Sequence, residues 1–171
     1  TMSGHAPPPD CATARGWAAS FDRYVARADD RIPPHLVAEA HRRFLSLEAS
    51  QGERRLLHGD LHHYNVLFDS TRGWLAIDPK GVVGEVEFEI GATLRNPFER
   101  PDLFVSAAIV ERRLARLARS LNINLARALE WAFAQAVLSA IWSLEDGFTV
   151  EADAPVLRLA TAIRPMLPKW P

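Results

Sequence analysis

Cysteine, lysine and long apolar runs are scarce in this chain, and each scarcity excludes a class of protein. The single cysteine, Cys11, cannot form an internal disulfide, which agrees with a reducing compartment, so we expect a cytoplasmic protein. No apolar run approaches the roughly 20 residues that span a bilayer, and Thr1–Asp10 lacks the basic and apolar regions of a signal peptide. The net charge of −1 gives no general attraction to nucleic acid. We therefore expect neither a membrane nor a nucleic acid as partner.

The composition is that of a globular domain with a sizeable core. The chain has 171 residues, of which 48% are hydrophobic and 24% are charged. Residues 5–10 (HAPPPD) contain three consecutive prolines, which favour an extended chain and exclude a helix. We interpret residues 1–14 as a linker or an expression remnant, and residues 15–171 as one domain.

The hydrophobic pattern predicts a mainly helical domain. Apolar residues recur at helical spacing, as at Trp17, Phe21 and Tyr24. Asn124 is a predicted N-cap and Gly147 a predicted helix stop. The predicted helices cover approximately residues 15–28, 34–50, 87–95, 101–121, 125–146 and 151–167.

One small β element interrupts the helical pattern. Val66–Phe68 and Trp74–Ile77 are short apolar runs separated by turn-forming residues 69–73, and together they predict a β-hairpin. Arg55–Leu57 predicts a further short strand, and residues 79–88 predict a loop. The expected fold is therefore mainly α with a small β-hairpin.

The most informative pattern lies between Leu57 and Phe68 (LHGDLHHYNVLF). Asp60 is followed five residues later by Asn65 and then at once by an apolar strand, and kinase catalytic loops have this spacing between base and metal ligand. A second carboxylate, Asp78, ends the Trp74–Ile77 run. Antiparallel pairing of the hairpin would bring Asn65 and Asp78 within roughly 5 Å of each other.

These residue types suit phosphoryl transfer, which needs a metal ion on the phosphates and a positioned nucleophile. We predict that Asp60 accepts the proton of a substrate hydroxyl. Asn65 and Asp78 supply hard oxygen ligands, so we predict that they hold Mg²⁺. The predicted supports of the loop are His58 and Gly59. The candidate contacts to phosphate or substrate are His62, His63, Lys80 and Glu85.

The two motifs resemble those of the aminoglycoside phosphotransferase family, whose hallmark is His-Gly-Asp-Leu-x-x-x-Asn. The second motif (WLAIDPKG, 74–81), with LRNP at 94–97, most resembles the aminoglycoside/hydroxyurea antibiotic resistance kinases, a branch that includes streptomycin 6-phosphotransferases. Asp78-Pro79-Lys80 stands where protein kinases have Asp-Phe-Gly. Both motifs lie between Leu57 and Pro97, and the resemblance extends over roughly residues 15–168.

This resemblance implies the C-terminal, catalytic lobe of the protein kinase-like fold. It implies ATP and Mg²⁺ as cofactors and a small hydroxyl-bearing acceptor, such as streptomycin or a related antibiotic. By motif match, it assigns the role of base to Asp60 and the metal roles to Asn65 and Asp78. It gives no equally firm match for residues that bind the acceptor.

The parts that anchor the nucleotide in a kinase are missing from these residues. No lysine precedes Lys80, and the glycines before Asp60 do not form G-x-G-x-x-G. We therefore expect a C-terminal fragment whose partner is the N-terminal lobe of its own full-length chain. We expect the fragment alone to be nearly inactive, because preorganised charge at the phosphates is lost. Its open face, near residues 55–64 and Asp78, is a candidate surface for self-association.

Several alternatives remain open from the sequence. The full-length protein could be a kinase of another small metabolite, or the chain could be a non-catalytic remnant that acts as a binding module. His58, His62 and His63 could form a metal cluster, although no known zinc spacing is complete. Lys80 either neutralises phosphate or pairs with a glutamate in the acidic run 85–89. That run and residues 145–146 either attract a cationic acceptor or are ordinary solvated surface.

Overall fold

The computed structural model describes residues 11–169 of the chain, so the predicted proline-rich linker at 5–10 lies outside the described residues. The described part is mainly helical with small sheets, as the sequence predicts. The helices are α1 (Ala14–Ala26), α2 (Pro34–Ala49), α3 (Val86–Leu94), α4 (Ala107–Ser120), α5 (Leu125–Glu145) and α6 (Pro155–Ile163). The strands are β1 (Ala12–Thr13), β2 (Arg55–Leu57), β3 (Val66–Asp69), β4 (Gly73–Ala76) and β5 (Val82–Gly84).

Helix α5 forms the centre of the hydrophobic core. It is apolar on nearly every side, which is typical of a helix surrounded by other elements. Trp131, Phe133 and Leu138 on this helix are fully buried. Helices α2, α3 and α6 pack against it. Within residues 11–169, no helix combines the length and apolar character that a membrane crossing needs.

The strands form two small sheets that position the segment containing Asp60. In the first sheet, β5 lies between β1, which is parallel to it, and β2, which is antiparallel to it. Leu57, the last residue of β2, pairs with Val82, so the chain enters the Asp60 segment beside β5. The second sheet is the predicted hairpin of β3 and β4, in which Val66 pairs with Ala76 and Asp69 with Gly73.

Two predicted helices are longer than the observed ones, because local signals begin or end the helix inside the predicted range. The helix predicted over 101–121 begins only at Ala107, where the Ser106 hydroxyl caps it by accepting from the Ile109 amide. A separate 3-10 turn occupies Pro101–Leu103. The helix predicted over 151–167 is α6, which starts with a proline at its first turn and ends before a 3-10 turn containing Pro165.

Two strands were missed by the sequence prediction. The predicted loop 79–88 contains β5, and the predicted linker 1–14 contains β1 and the first residue of α1. Both strands are only two or three residues long, too short to show the alternation that predicts a strand. Their pairing with each other joins residues about seventy positions apart, which local sequence patterns do not report.

Candidate active site

Side chains of helix α3 hydrogen-bond the backbone of the segment that contains Asp60. The carboxylate of Glu89 accepts hydrogen bonds from the backbone amides of Gly59, at 3.0 and 3.1 Å, and Leu61, at 3.3 Å. One turn further along the helix, the Thr93 hydroxyl donates to the carbonyl oxygen of Leu61 at 2.9 Å. Because Glu89 and Thr93 lie four residues apart, they share one helical face, and that face fixes the backbone on both sides of Asp60.

Gly59 turns the chain sharply just before Asp60. Its φ of +82° lies in the left-handed region, which side chains with a Cβ rarely adopt. A Cβ atom at this position would also lie only 2.7 Å from Cγ2 of Val82. Glycine is therefore required both by the backbone conformation and by the close approach of β5.

His58 connects the Asp60 segment to the loop after β4. Its Nε2 lies 2.7 Å from the carbonyl oxygen of Ile77, which can only accept, so Nε2 carries the proton. Its Nδ1 is then free to accept from the Asp60 amide at 3.3 Å. The carbonyl oxygen of His58 accepts from the amides of Lys80 and Gly81. The position of His58 is thus that of a loop support rather than of a reacting group.

The Asp60 carboxylate lies between a buried arginine and a histidine. Nη2 of Arg95 is 3.4 Å from Oδ1, and Nε2 of His62 is 3.6 Å from Oδ2. Burial lowers the pKa of Arg95, and the carboxylates of Asp60 and Glu89 oppose that effect. Burial also lowers the pKa of His62, again opposed by Asp60. Asp60 therefore provides the compensating negative charge for a cation that has little contact with solvent.

Arg95 is itself held by a second buried residue, Gln135 of α5. Oε1 of Gln135 accepts from Nη1 of Arg95 at 3.1 Å, and its Nε2 donates to the carbonyl oxygen of Phe88 at 2.7 Å. Gln135 is 1% exposed, so this network links the core of the molecule to Asp60.

The hairpin brings Asn65 and the Asp78 loop together. Asn65 precedes β3 directly, its carbonyl oxygen accepts from the Ile77 amide at 2.9 Å, and Asp78 is the next residue. The Asn65 Nδ2 donates to the carbonyl oxygen of Asp60 at 2.9 Å. Its Oδ1 has no hydrogen-bond partner among residues 11–169. One amide oxygen is therefore left available, as a metal ligand would require.

Asp78 is exposed and lies in an unusual backbone conformation, with φ of +53°. Lys80 Nζ lies 3.2 Å from its Oδ2. Lys80 therefore pairs with Asp78 and not with Glu85, Glu87 or Glu89, which corrects one alternative from the sequence. The carboxylate of Asp78 and the amide oxygen of Asn65 are the hard oxygen donors that suit Mg²⁺ shared with phosphate.

Two cavities flank the Asp60 segment. A cavity of about 500 Å³ lies in front of it and is lined by Gly59, Asp60, Lys80 and Arg95 together with residues of α1 and α5. The lining of a larger cavity, of about 770 Å³, includes Leu61 and the two residues of α3 that bind its backbone, Glu89 and Thr93. Of these two cavities, only the smaller is lined by Asp60.

The acidic run 85–89 is structural and does not form a free anionic surface. Glu85 is 3% exposed and accepts from Arg127, from the Trp131 indole at 2.6 Å and from the Gly52 amide at 3.0 Å. The prediction that Glu85 contacts phosphate or substrate is therefore corrected, because its carboxylate is already satisfied and does not line the cavity with Asp60. Glu87 likewise accepts from the Asn124 amide.

The alternative of a histidine metal cluster also disagrees with the structure. Both ring nitrogens of His58 contact backbone groups, so neither can bind a metal ion. His63 is exposed, with its ring 4.0 Å from that of Tyr64, and does not line the cavity with Asp60. In the described part of the chain, no three His, Cys, Asp or Glu side chains are grouped to hold a metal ion.

The sequence reasoning missed Glu89, Thr93 and Gln135 as supports of the site. The spacing of Glu89 and Thr93 was the available signal, since residues four apart on a predicted helix share a face. Gln135 lies among apolar residues of the predicted helix 125–146, where a polar residue indicates a buried hydrogen-bond partner. Nothing in the sequence says which partner.

The family model for aminoglycoside/hydroxyurea antibiotic resistance kinases matches residues 5–147 of the chain. The chain belongs to this family. The match includes the Asp60 segment, the hairpin and the whole of α3. Every residue that lines the cavity of about 500 Å³ beside Asp60, called the front cavity below, lies inside the matched region.

Curated proteins similar to the chain include streptomycin kinases and a hydroxyurea phosphotransferase. Streptomycin 6-kinase of Streptomyces griseus is 31% identical over 152 residues, which cover 88% of this chain and 42% of that protein. Streptomycin 3''-kinase of Klebsiella pneumoniae is 37% identical over 154 residues, 88% of this chain and 55% of that protein. Hydroxyurea phosphotransferase of Kitasatospora aureofaciens is 32% identical, with 87% and 41% covered. The chain spans about half the length of these relatives. No solved structure matches it.

Proposed function

We propose that this chain is the catalytic lobe of an ATP-dependent kinase that phosphorylates a hydroxyl group of a small molecule. The proposal includes a protein kinase-like fold, in which residues 15–171 form the C-terminal lobe. It is supported by the family and by one observation above all. The Asp60 carboxylate faces a cavity while the backbone around it is fixed by α3 and by the hairpin.

Asp60 is the proposed base. The acceptor hydroxyl would lie in the front cavity and donate a hydrogen bond to this carboxylate. As the acceptor oxygen bonds to the terminal phosphorus of ATP, its proton passes to Asp60 and ADP leaves. Arg95 would hold the carboxylate in place and offset its negative charge, and His62, whose pKa is lowered, would remain neutral beside it at pH 7.

Asn65 and Asp78 are the proposed ligands of Mg²⁺. The hydrogen bond from Asn65 Nδ2 to the Asp60 backbone fixes the amide so that Oδ1 remains available. Mg²⁺ would offset the charge of the nucleotide phosphates. Lys80 would exchange its contact with Asp78 for a phosphate oxygen, since its side chain is half exposed and lines the cavity with Asp60. His62, beside Asp60, stays a candidate contact to the substrate.

The proposed acceptor is an aminoglycoside such as streptomycin, because two of the relatives are named streptomycin kinases. A kinase of another small metabolite would use the same catalytic residues. A panel of streptomycin, other aminoglycosides, hydroxyurea and unrelated polyols, tested with ATP and Mg²⁺ on the full-length reading frame that contains these residues, separates the two. We expect transfer to streptomycin, and transfer only to an unrelated polyol would contradict the antibiotic assignment.

The same panel applied to the 171 residues alone tests the proposed need for a nucleotide-binding lobe. No lysine precedes Lys80 in this chain to pair with the phosphates, so we expect little or no turnover. Normal turnover by the 171 residues would contradict this part of the proposal.

A further inference from the structure

The front cavity has a second wall that the catalytic motifs do not include. Trp17, Ser20 and Arg23 of α1 and Trp142 of α5 line the same cavity of about 500 Å³ as Asp60. The three residues of α1 follow one another at intervals of three, so they form a single stripe along that helix. This stripe and the proposed base therefore line one cavity.

The two indoles of this wall are fixed by the core. The rings of Trp17 and Trp142 lie 5.0 Å apart in an edge-to-face arrangement, and Trp17 also packs 5.2 Å from the ring of Phe88. The Trp142 indole donates to the Ser20 hydroxyl at 3.0 Å. An apolar ring surface is therefore presented to the cavity in one defined orientation, which reduces the entropy lost on binding.

A polar group with spare hydrogen-bonding capacity lies beside the indoles. The Arg23 guanidinium donates to Glu145 through Nε at 2.8 Å and to the Ser20 hydroxyl through Nη2 at 2.6 Å. Its Nη1 makes no hydrogen bond to any residue between 11 and 169, and its side chain is about half exposed. Arg23 can therefore donate to a bound molecule without breaking its existing contacts.

We infer that this wall is the acceptor subsite and that it binds a polyhydroxylated ring compound. This inference rests on the proposed function. The apolar faces of the acceptor rings would pack on Trp17 and Trp142, and Arg23 would donate to a ring hydroxyl. The reacting hydroxyl would then reach Asp60 on the opposite side. The larger cavity is excluded as the acceptor subsite because it meets the Asp60 segment at Leu61 and its supports, not at the carboxylate.

The dimensions of the subsite select among acceptors. Its volume lies in the range of cavities that hold drug-sized ligands, roughly 300–1,000 Å³. A molecule as small as hydroxyurea has no ring to place on the indoles and would leave most of the wall uncovered. We therefore expect this chain to favour ring-containing acceptors over hydroxyurea.

Steady-state kinetics of the full-length protein with streptomycin as acceptor test this inference. The variants are Trp17→Phe, Trp142→Phe and Arg23→Ala, and circular dichroism checks the folding of each, because Arg23 also pairs with Glu145. We expect a rise of about fivefold or more in the KM for streptomycin, with the KM for ATP unchanged. The control is Arg15→Ala, which lies on the same helix, lines a different cavity and should leave both constants unchanged.

Each outcome of this experiment has one meaning. A rise in the streptomycin KM alone, in any of the three variants, supports the subsite. Phosphoryl transfer with an unchanged streptomycin KM in all three, or with equal rises in both constants, would overturn the subsite and leave the proposed function standing. Absence of phosphoryl transfer to streptomycin by the unsubstituted protein would overturn the assigned acceptor and the subsite together.

Discussion

Gly59 shows how a single residue sets the geometry of the candidate site. It has a positive φ, and β5 approaches so closely that Val82 occupies the space of a side chain. Gly73, in the hairpin turn, has a similar φ of +78°, but no atom lies within 4 Å of the place that a Cβ would occupy. The two glycines therefore separate the effect of backbone conformation from the effect of crowding.

We expect Gly59→Ala to lower the free energy of unfolding by about 1–3 kcal/mol more than Gly73→Ala. Both variants carry the cost of a left-handed alanine, about 1–2 kcal/mol, and only Gly59→Ala adds a contact with Val82. Urea denaturation of the two variants and the unsubstituted chain gives the comparison. Equal destabilisation would show that β5 moves aside at little cost.

At the residue scale, the sequence yields the proposed base and metal ligands but not the residues that support them. Asp60, Asn65 and Asp78 follow a spacing that one mechanism requires, so they can be found within a stretch of nineteen residues. Glu89 and Gln135 act on residues far away in the chain, since Glu89 binds Gly59 and Gln135 binds Arg95. Such partners are set by tertiary packing, and no local pattern reports them.

Among the elements, α5 is joined to α3 by a buried hydrogen-bond network. Gln135 is the link, because it satisfies both Arg95 and the carbonyl oxygen of Phe88. We expect Gln135→Met, which keeps the side chain's length, to lower the free energy of unfolding by about 1–3 kcal/mol, since two buried groups lose a partner. Thermal and urea denaturation measure it. Ser143→Ala, which removes only a bond within α5, is the control and should change stability by less than about 0.5 kcal/mol.

Helices α1 and α5 are joined by an ion pair whose contribution depends on pH. The hydrogen bond from Arg23 lowers the pKa of Glu145, with further lowering by Ser20 and Arg27. The pair therefore stabilises the fold above the ordinary glutamate pKa of about 4.3, and this stabilisation is lost as the pH falls through the lowered value.

We accordingly expect Glu145→Gln to be less stable than the unsubstituted chain at pH 7, and the difference to shrink as the pH falls below the ordinary glutamate pKa. Urea denaturation across this range provides the measurement. A difference that stays constant with pH would mean that the effect is one of packing and not of charge.

The boundaries of α5 were predictable because a local signal marks each of its ends. The Asn124 side chain caps α5 by accepting from the Arg127 amide, and Gly147, with φ of +86°, follows its end, both as predicted. The hairpin was predictable because turn residues separate two apolar runs. Strands β1 and β5 were not, because each is defined only by a partner distant in the chain.

On the scale of the whole molecule, the hairpin exposes an apolar surface. Phe68 is 65% exposed and Trp74 is 73% exposed, and their rings lie 5.3 Å apart on paired residues. Leu67 and Ile77 are also exposed, but the alternation of side chains along β3 places Leu67 on the other face of the hairpin. An exposed patch of this kind is typical of a surface that another part of a protein covers.

We expect the 171 residues to self-associate through this hairpin, and Phe68→Ser with Trp74→Ser to reduce the association. Size-exclusion chromatography with light scattering at several concentrations measures it. Val25→Ser is the control, because Val25 is 57% exposed but lies on α1 away from the hairpin. A monomer at every concentration would contradict the prediction.

The proposed role of Asp60 as the base of a kinase is tested by one matched pair of variants. In the full-length protein, Asp60→Asn keeps the shape of the side chain and removes its ability to accept the proton, whereas Asp30→Asn makes the same change at an exposed position on the α1–α2 connection. The measurement is the rate of phosphoryl transfer from ATP to streptomycin at saturating substrates. We expect a loss of about a hundredfold to ten-thousandfold for Asp60→Asn and no loss for Asp30→Asn. Full activity of a folded Asp60→Asn variant would contradict it.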